Sequence, residues 1–224
     1  MNTEIARFNM IEQQIRPWEV LDPAVLGLLS TVRREDFVPT AMRALAFVDT
    51  MVPLLSGQPH GPCMLEPKVE ARLLQELQVQ RHEKVLEIGT GSGFMAALLS
   101  HRAMQVISLE CRPALAQRAR DNLQRSGIAN VQVLDVDAAA GAAGLVAEAP
   151  FDVILLSGSV AEVPAALLQQ LKMGGRLAAV VGEEPVMRAR IHTRVSDTAF
   201  SQSDLFDTVA PRLEGFAERT RFIF

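Results

Sequence analysis

Residues 84–94 read Lys-Val-Leu-Glu-Ile-Gly-Thr-Gly-Ser-Gly-Phe, an apolar strand run that passes straight into a glycine-rich turn and then into a helical segment. Few folds accommodate that order. Glycines at 89, 91 and 93 allow a tight turn with positive φ and let a ligand approach the backbone closely. The helix behind them offers free N–H groups at its start. A strand, a turn and a helix in this order form the first half of a βαβ unit, which calls for a parallel sheet covered by helices.

The rest of the chain continues the alternation. The pattern predicts a helix over 67–77, strand 84–88, helix 93–101, strand 105–110, helix 113–126, strands 131–134 and 151–157, helix 161–171 and strand 175–182. Upstream, Ile5, Phe8, Met10, Ile11 and Ile15 approximate one helical face over 3–16, ended by Pro17. Asp22-Pro23 reads as the cap and first position of a second helix, and Arg34–Pro39 closes this preface. Pro53, Gly57, Pro59, Gly61 and Pro62 make 44–64 an irregular loop, functional or mobile at that length. The tail from 187 to 224 alternates like antiparallel edge strands, most clearly in the run ending at Val195. The expected fold is a doubly wound α/β domain with a mostly parallel Rossmann-like sheet, an N-terminal helical extension and antiparallel C-terminal edge strands. We divide one domain into 1–64, a core over 65–182 and terminal strands over 183–224.

Composition narrows the function classes. Of 224 residues, 49% are apolar and 21% charged, which suits a folded globular chain. No apolar run reaches the roughly 20 residues of a membrane span, and the N-terminus lacks the apolar stretch of a signal peptide. Two cysteines, Cys63 and Cys111, cannot frame a disulfide scaffold and fit a reducing cytoplasm. A formal charge of −4 and the absence of a long basic run disfavour nucleic acid as a partner. Arg188, Arg190 and Arg194 share an expected edge-strand face that reads most simply as solvated.

The turn also discriminates between ligands. A dinucleotide fingerprint needs its third glycine at 94, where this chain has Phe94. Glu87, directly before the turn, repels a pyrophosphate and attracts an ammonium or sulfonium. Glu110, at the end of the next strand, occupies the position that accepts hydrogen bonds from ribose hydroxyls in such folds. A cationic amino-acid tail joined to a ribose describes S-adenosylmethionine better than NAD. Asp137, after the third strand, is the natural third contact, near the adenine edge.

VLEIGTGSGFMAALL, Pro67-x-x-x-Ala71-Arg72, Arg34-Glu35-x-Phe37-Val38-Pro39, Ala149-Pro150-Phe151-Asp152 and Gln170-Leu171-Lys172-x-Gly174-Gly175-Arg176-Leu177 together resemble the protein-L-isoaspartate O-methyltransferase family, from about residue 5 to 182. The first motif alone indicates a class I methyltransferase; the others narrow it. The resemblance implies esterification of the abnormal carboxylate of isoaspartyl residues in damaged proteins, with S-adenosyl-L-homocysteine as product. It implies a cofactor site at Met64, Glu87, Gly89, Thr90, Gly91, Ser92, Gly93, Glu110, Asp137 and Ala138. His82, His101 and His192 are scattered, with no spacing suited to a metal, so none is expected.

The acceptor side departs from the family. Where members carry Gly-Gln-Thr-Ile-Ser-x-Pro, the ungapped count gives Gly61-Pro62-Cys63-Met64-Leu65-Glu66-Pro67. The active-site hydroxyl therefore falls on Leu65 and the threonine on Cys63. A gapped alternative through Gly57-Gln58 meets Pro59 and His60 and finds no hydroxyl either. The family's Asp-Gly pair becomes Asp137-Ala138, and its small alanines become the loop Ser157–Pro164. Because a carboxylate is already ionised at pH 7, its methylation needs placement rather than a general base. Loss of one charge-assisted hydrogen bond would slow transfer roughly 10- to 100-fold without abolishing it. Cys63, with His60 nearby, is a weak nucleophile candidate; a packed loop cysteine is the simpler reading. Two other functions stay open: the same cofactor with another acceptor, and a cofactor-binding protein without turnover. The sequence sets no oligomeric state.

Overall fold

The computed structural model describes residues 2–55, 57, 58, 61–144 and 147–218. His60 and Pro59 lie outside the described residues. Helix α1 (Thr3–Met10) starts at Asn2, whose side chain accepts from the N–H groups of Glu4 and Ile5. The single helix expected over 3–16 is broken. It passes into a π turn at Ile11–Ile15 and a 3-10 turn at Arg16–Trp18, because Pro17 has no N–H to extend the ladder. The changed winding keeps Met10, Ile11 and Ile15 all buried. Helix α2 (Pro23–Thr31) begins as expected, with Asp22 accepting from Ala24 N at 2.8 Å.

The loop over 44–64 is less irregular than its prolines suggest. A 3-10 turn spans Thr40–Leu45, and β1 (Val52–Pro53) pairs antiparallel with β2 (Cys63–Met64). Pro53 is tolerated because this two-strand ribbon needs little from it as a donor, and the next residue, Leu54, donates to Pro62 at 2.9 Å. Helix α3 (Pro67–Leu77) leads from the ribbon into the sheet.

The sheet contains β3 (Lys84–Ile88), β4 (Gln105–Glu110), β5 (Val131–Asp135), β6 (Phe151–Val160), β7 (Leu171–Glu183), β8 (Val186–Arg194) and β9 (Phe200–Thr208). Their order is β5-β4-β3-β6-β7-β8-β9. The first five are parallel; β8 and β9 run antiparallel. Helices α4 (Phe94–Ser100), α5 (Pro113–Arg125), α6 (Ala138–Ala143) and α7 (Ala165–Leu168) make the crossovers. Strand order reverses at β3, so a ligand crevice opens at its carboxyl end.

Two expectations need correction here. The helix expected over 161–171 is one turn, because Ser159 and Val160 continue β6 by pairing with Val180 and Val181, and Leu171 already pairs with Phe151. The arginine-bearing strand β8 is interior, and β9 forms the edge. Arg188 and Arg190 bond Asp207 and Asp204 on β9, and Arg194 donates to the carbonyls of Gln169 and Leu171. No helix among the described residues is long and apolar enough to cross a membrane.

One core lies between the preface and the sheet, through Ile15, Phe37, Leu74, Leu98 and Val106; the other packs Leu86, Ile107, Phe151 and Leu177 on the opposite face. Within the first core sits Arg34, only 1% exposed. It pairs with Glu70 on α3, donates to the Leu65 carbonyl at 2.7 Å and lies 5.0 Å over the Phe94 ring. Arg34→Met leaves Glu70 as an unpaired buried carboxylate and should cost about 3–5 kcal/mol in urea unfolding. Adding Glu70→Leu should restore most of that loss. An Arg34→Met protein as stable as the parent would contradict this account.

Candidate active site

The turn after β3 folds as its glycines require, with Gly89, Gly91 and Gly93 at φ of 95°, 55° and 83°. Gly89 and Thr90 donate to the Leu109 carbonyl at 2.9 and 3.2 Å, which keeps the turn against the end of β4. A Cβ on Gly93 would meet Ala119 of α5 at 3.3 Å, so the missing side chain lets that helix pack close. Asn122 of α5 donates to the Ser92 carbonyl at 2.8 Å and fixes the turn from behind.

Parallel pairing of β3 with β4 brings Glu110 to the turn. One of its oxygens accepts from Gly91 N at 2.8 Å and the other from Arg112 N at 3.1 Å. Burial raises its pKa above the ordinary carboxylate value, against the pull of those amides. Glu87 is fully buried. Its two oxygens accept from Ser108 Oγ at 2.6 Å and Ser157 Oγ at 2.7 Å, and Thr90 Oγ1 lies 2.6 Å from Ser108 Oγ. Desolvation pushes Glu87 up to about 7 despite the two hydroxyls. The fixed negative charge that the sequence reading assigned to Glu87 is therefore a titrating one.

Two adjoining cavities meet at these residues. The outer crevice is lined by Gly89, Gly91, Glu110, Ala138 and Ser157, among others. The inner recess is bounded by Met64, Leu65, Glu70, Glu87, Thr90, Ser92 and Ser157. Nine of the ten residues expected at a cofactor site thus gather around the end of β3, Gly93 by turning the chain. Asp137 does not line either cavity. Its carboxylate accepts from Ala140 N at 3.0 Å as the cap of α6, and Val136 and Ala138 line the crevice beside it.

The acceptor-side residues are placed differently. Leu65 faces the inner recess but is 4% exposed and belongs to the first core. Cys63 lines both cavities, yet burial, with Glu66 and Glu70 nearby, pushes its thiol up to about 12. It remains protonated at neutral pH, an environment that gives no activated nucleophile.

Sequence reasoning missed a strap after β9. Ser159 donates to the Pro211 carbonyl at 2.7 Å and Leu213 to the Ser159 carbonyl at 2.9 Å, so this segment runs along the end of β6. Leu213 then lies over Gly89 and Gly158, where an added Cβ would come within 2.8 Å of its side chain. Arg112 and Glu214 form an ion pair at the crevice mouth. Leu213 and Phe216 were the available signal, but two apolar residues on either side of Glu214 and Gly215 carry no periodicity.

The sequence pattern described as protein-L-isoaspartate(D-aspartate) O-methyltransferase matches residues 6–209. A protein-L-isoaspartate O-methyltransferase 2 of Marinobacter nauticus is 39% identical over 199 residues, 88% of each chain. A solved protein-L-isoaspartate O-methyltransferase superposes with a TM-score of 0.77 at 23% identity, covering 93% of this chain and 64% of that one. A Plasmodium falciparum chain in complex with S-adenosyl-L-homocysteine gives a TM-score of 0.75 at 19% identity, over 96% of this chain and 99% of its own. The two structures share the fold, and the sequence matches extend through the preface and the sheet. The chain belongs to the protein-L-isoaspartate(D-aspartate) O-methyltransferase family.

Proposed function

We propose that this protein transfers a methyl group from S-adenosylmethionine to the carboxylate of isoaspartyl residues in proteins. The observation that carries the reading is Glu110, held by two backbone N–H groups against a glycine turn in a chain of this family. When bound, the cofactor supplies a sulfonium methyl that a carboxylate oxygen takes in line as the C–S bond breaks onto sulfur. Glu110 keeps lone pairs for ribose hydroxyls. Gly91 would let the ligand's backbone-facing side come close, with only Leu54 Cδ1, at 3.1 Å, where a Cβ would sit, whereas Leu213 lies over Gly89. Val136 and Ala138 offer an apolar wall for the adenine. Glu87, on the inner recess, would face the cationic end, and the acceptor would lie beyond it near Leu65. No group need accept a proton, because the nucleophile is anionic and the product sulfide is neutral.

A labelled-methyl assay should show incorporation into an isoaspartyl peptide and none into its aspartyl twin. Glu110→Ala should weaken S-adenosylmethionine binding at least 10-fold in calorimetry, as two ribose hydroxyls lose a charged acceptor. Cofactor binding without methylation of either peptide would refute the isoaspartyl reading.

Leu65→Ser returns a hydroxyl to the recess and should raise turnover at saturating cofactor roughly 10-fold. The gain should come with a stability loss of about 2–4 kcal/mol, since Leu65 is a packed core residue. Unchanged turnover in a folded variant would show that no hydroxyl is wanted there.

Glu87 links the site to pH. Its pKa is raised from 4.5 to about 7 on folding, so the folded state binds the proton more tightly. The stabilisation is fully present below pH 4.5 and is lost as pH rises through 7, by about 3 kcal/mol over that window. Glu87→Gln should flatten this part of the stability profile of the ligand-free protein. A cation bound beside Glu87 favours the ionised form, so S-adenosylmethionine affinity should rise from pH 6 to 8. Identical stability and affinity profiles in the parent and Glu87→Gln would exclude this linkage.

A further inference from the structure

The crevice is open at its mouth but offers only about 110 Å³, well below the roughly 300–1,000 Å³ of small-molecule sites. Either the strap or the ribbon side must move for an adenosine-sized ligand to pass, and the two are held very differently. On the ribbon side, Val52, Leu54, Met64 and Leu65 are core residues, and Arg118 of α5 donates to the Leu54 carbonyl at 2.7 Å. Freeing that side would expose four packed side chains at about 1.5–3 kcal/mol each. Between the buried Ala210 and Phe216, which anchor its two ends, the strap over the glycine turn holds by less: two backbone hydrogen bonds to Ser159, one from Arg212 to the Gly182 carbonyl at 2.9 Å, the half-buried Leu213 and the Arg112–Glu214 pair. That pair is half-exposed, with side chains 32% and 49% accessible, and such pairs contribute little. The strap follows the last strand of the sheet, so raising it opens none of the ladders between named strands.

Arg112 also joins the two sides. Its Nε donates to Glu214 at 2.8 Å and its Nη1 to Gln58 Oε1 at 3.3 Å, while its backbone N–H orients Glu110. One residue therefore touches the ribose-binding carboxylate, the loop joining the two strands of the ribbon, and the strap.

We propose that the segment around Leu213 and Glu214 is a gate over the cofactor crevice, latched by Arg112, and that cofactor and product pass only when it lifts. The inference rests on the cofactor site assigned above. In the closed state Leu213 covers Gly89 and narrows the crevice; in the open state Glu214 leaves Arg112 and the crevice widens enough to admit the ligand.

Stopped-flow measurement of S-adenosyl-L-homocysteine association and dissociation tests the gate. Glu214→Gln, at an exposed position that should not disturb folding, is expected to speed both rates about 3- to 10-fold with a smaller change in equilibrium affinity. Raising ionic strength should speed exchange in the parent protein and leave Glu214→Gln nearly unchanged, because only the parent has a charged latch to screen. Leu213→Ala should speed dissociation further. Unchanged rates in both variants, with ligand bound normally, would overturn the gate and leave the cofactor site intact. A parent protein that binds neither S-adenosyl-L-homocysteine nor S-adenosylmethionine would overturn the cofactor assignment and the gate together.

Discussion

The hydrogen bond from Gly91 to the Glu110 carboxylate is the contact on which the site depends. Register between β3 and β4 places Ile88 beside Leu109, so Glu110 arrives one residue past the paired ends. From there it can reach only the turn and the start of α5. By accepting from Gly91 and Arg112 it fixes both at once, and Asn122 and the Gly93–Ala119 contact then hold α5 to the turn. A turn with three positive-φ residues gains little from its own conformation. Its shape comes from these outside partners.

Charge follows the same geometry. Glu87, Glu110 and Glu70 all line the crevice or the recess, while the arginines at the crevice, Arg112 and Arg212, are already paired with Glu214 and Glu218. A pyrophosphate would meet two buried carboxylates with the nearby cations already engaged, at a cost that low dielectric enlarges. A ligand carrying a sulfonium and an ammonium finds the matching sign. The serine pair on Glu87 makes the carboxylate tolerable without the cation, since each hydroxyl replaces part of the lost hydration.

The turn and its two acids were legible because each lies at a chain position that the βαβ pattern fixes: strand end, turn, next strand end. Met64, Thr90 and Ala138 came from the family resemblance, and they line the cavities beside those positions. Asp137, next to Ala138, caps α6 through its carboxylate, which accepts from Ala140 N. Pattern reasoning fails where register alone decides structure. Nothing in Ser157–Val160 announces that β6 continues, because the partner strand lies beyond the next helix in sequence. The strap was illegible for a related reason: its partners, Gly89, Arg112 and Ser159, are all more than fifty residues away and leave no local period.

Leu65 unites these threads on the acceptor side. A serine hydroxyl at that point would act through its side chain, whereas here the backbone is what is held. Arg34 grips the Leu65 carbonyl, Glu70 neutralises Arg34, and the leucine side chain fills the core behind. The wall facing the recess is consequently apolar, rigid and bordered by acids. An incoming carboxylate gains no donor from it and must be aligned by fit and by exclusion of water. Gly89 borders both the recess and the crevice that Leu213 covers, so with no hydroxyl at 65 the gate proposed above would carry more of the acceptor's alignment.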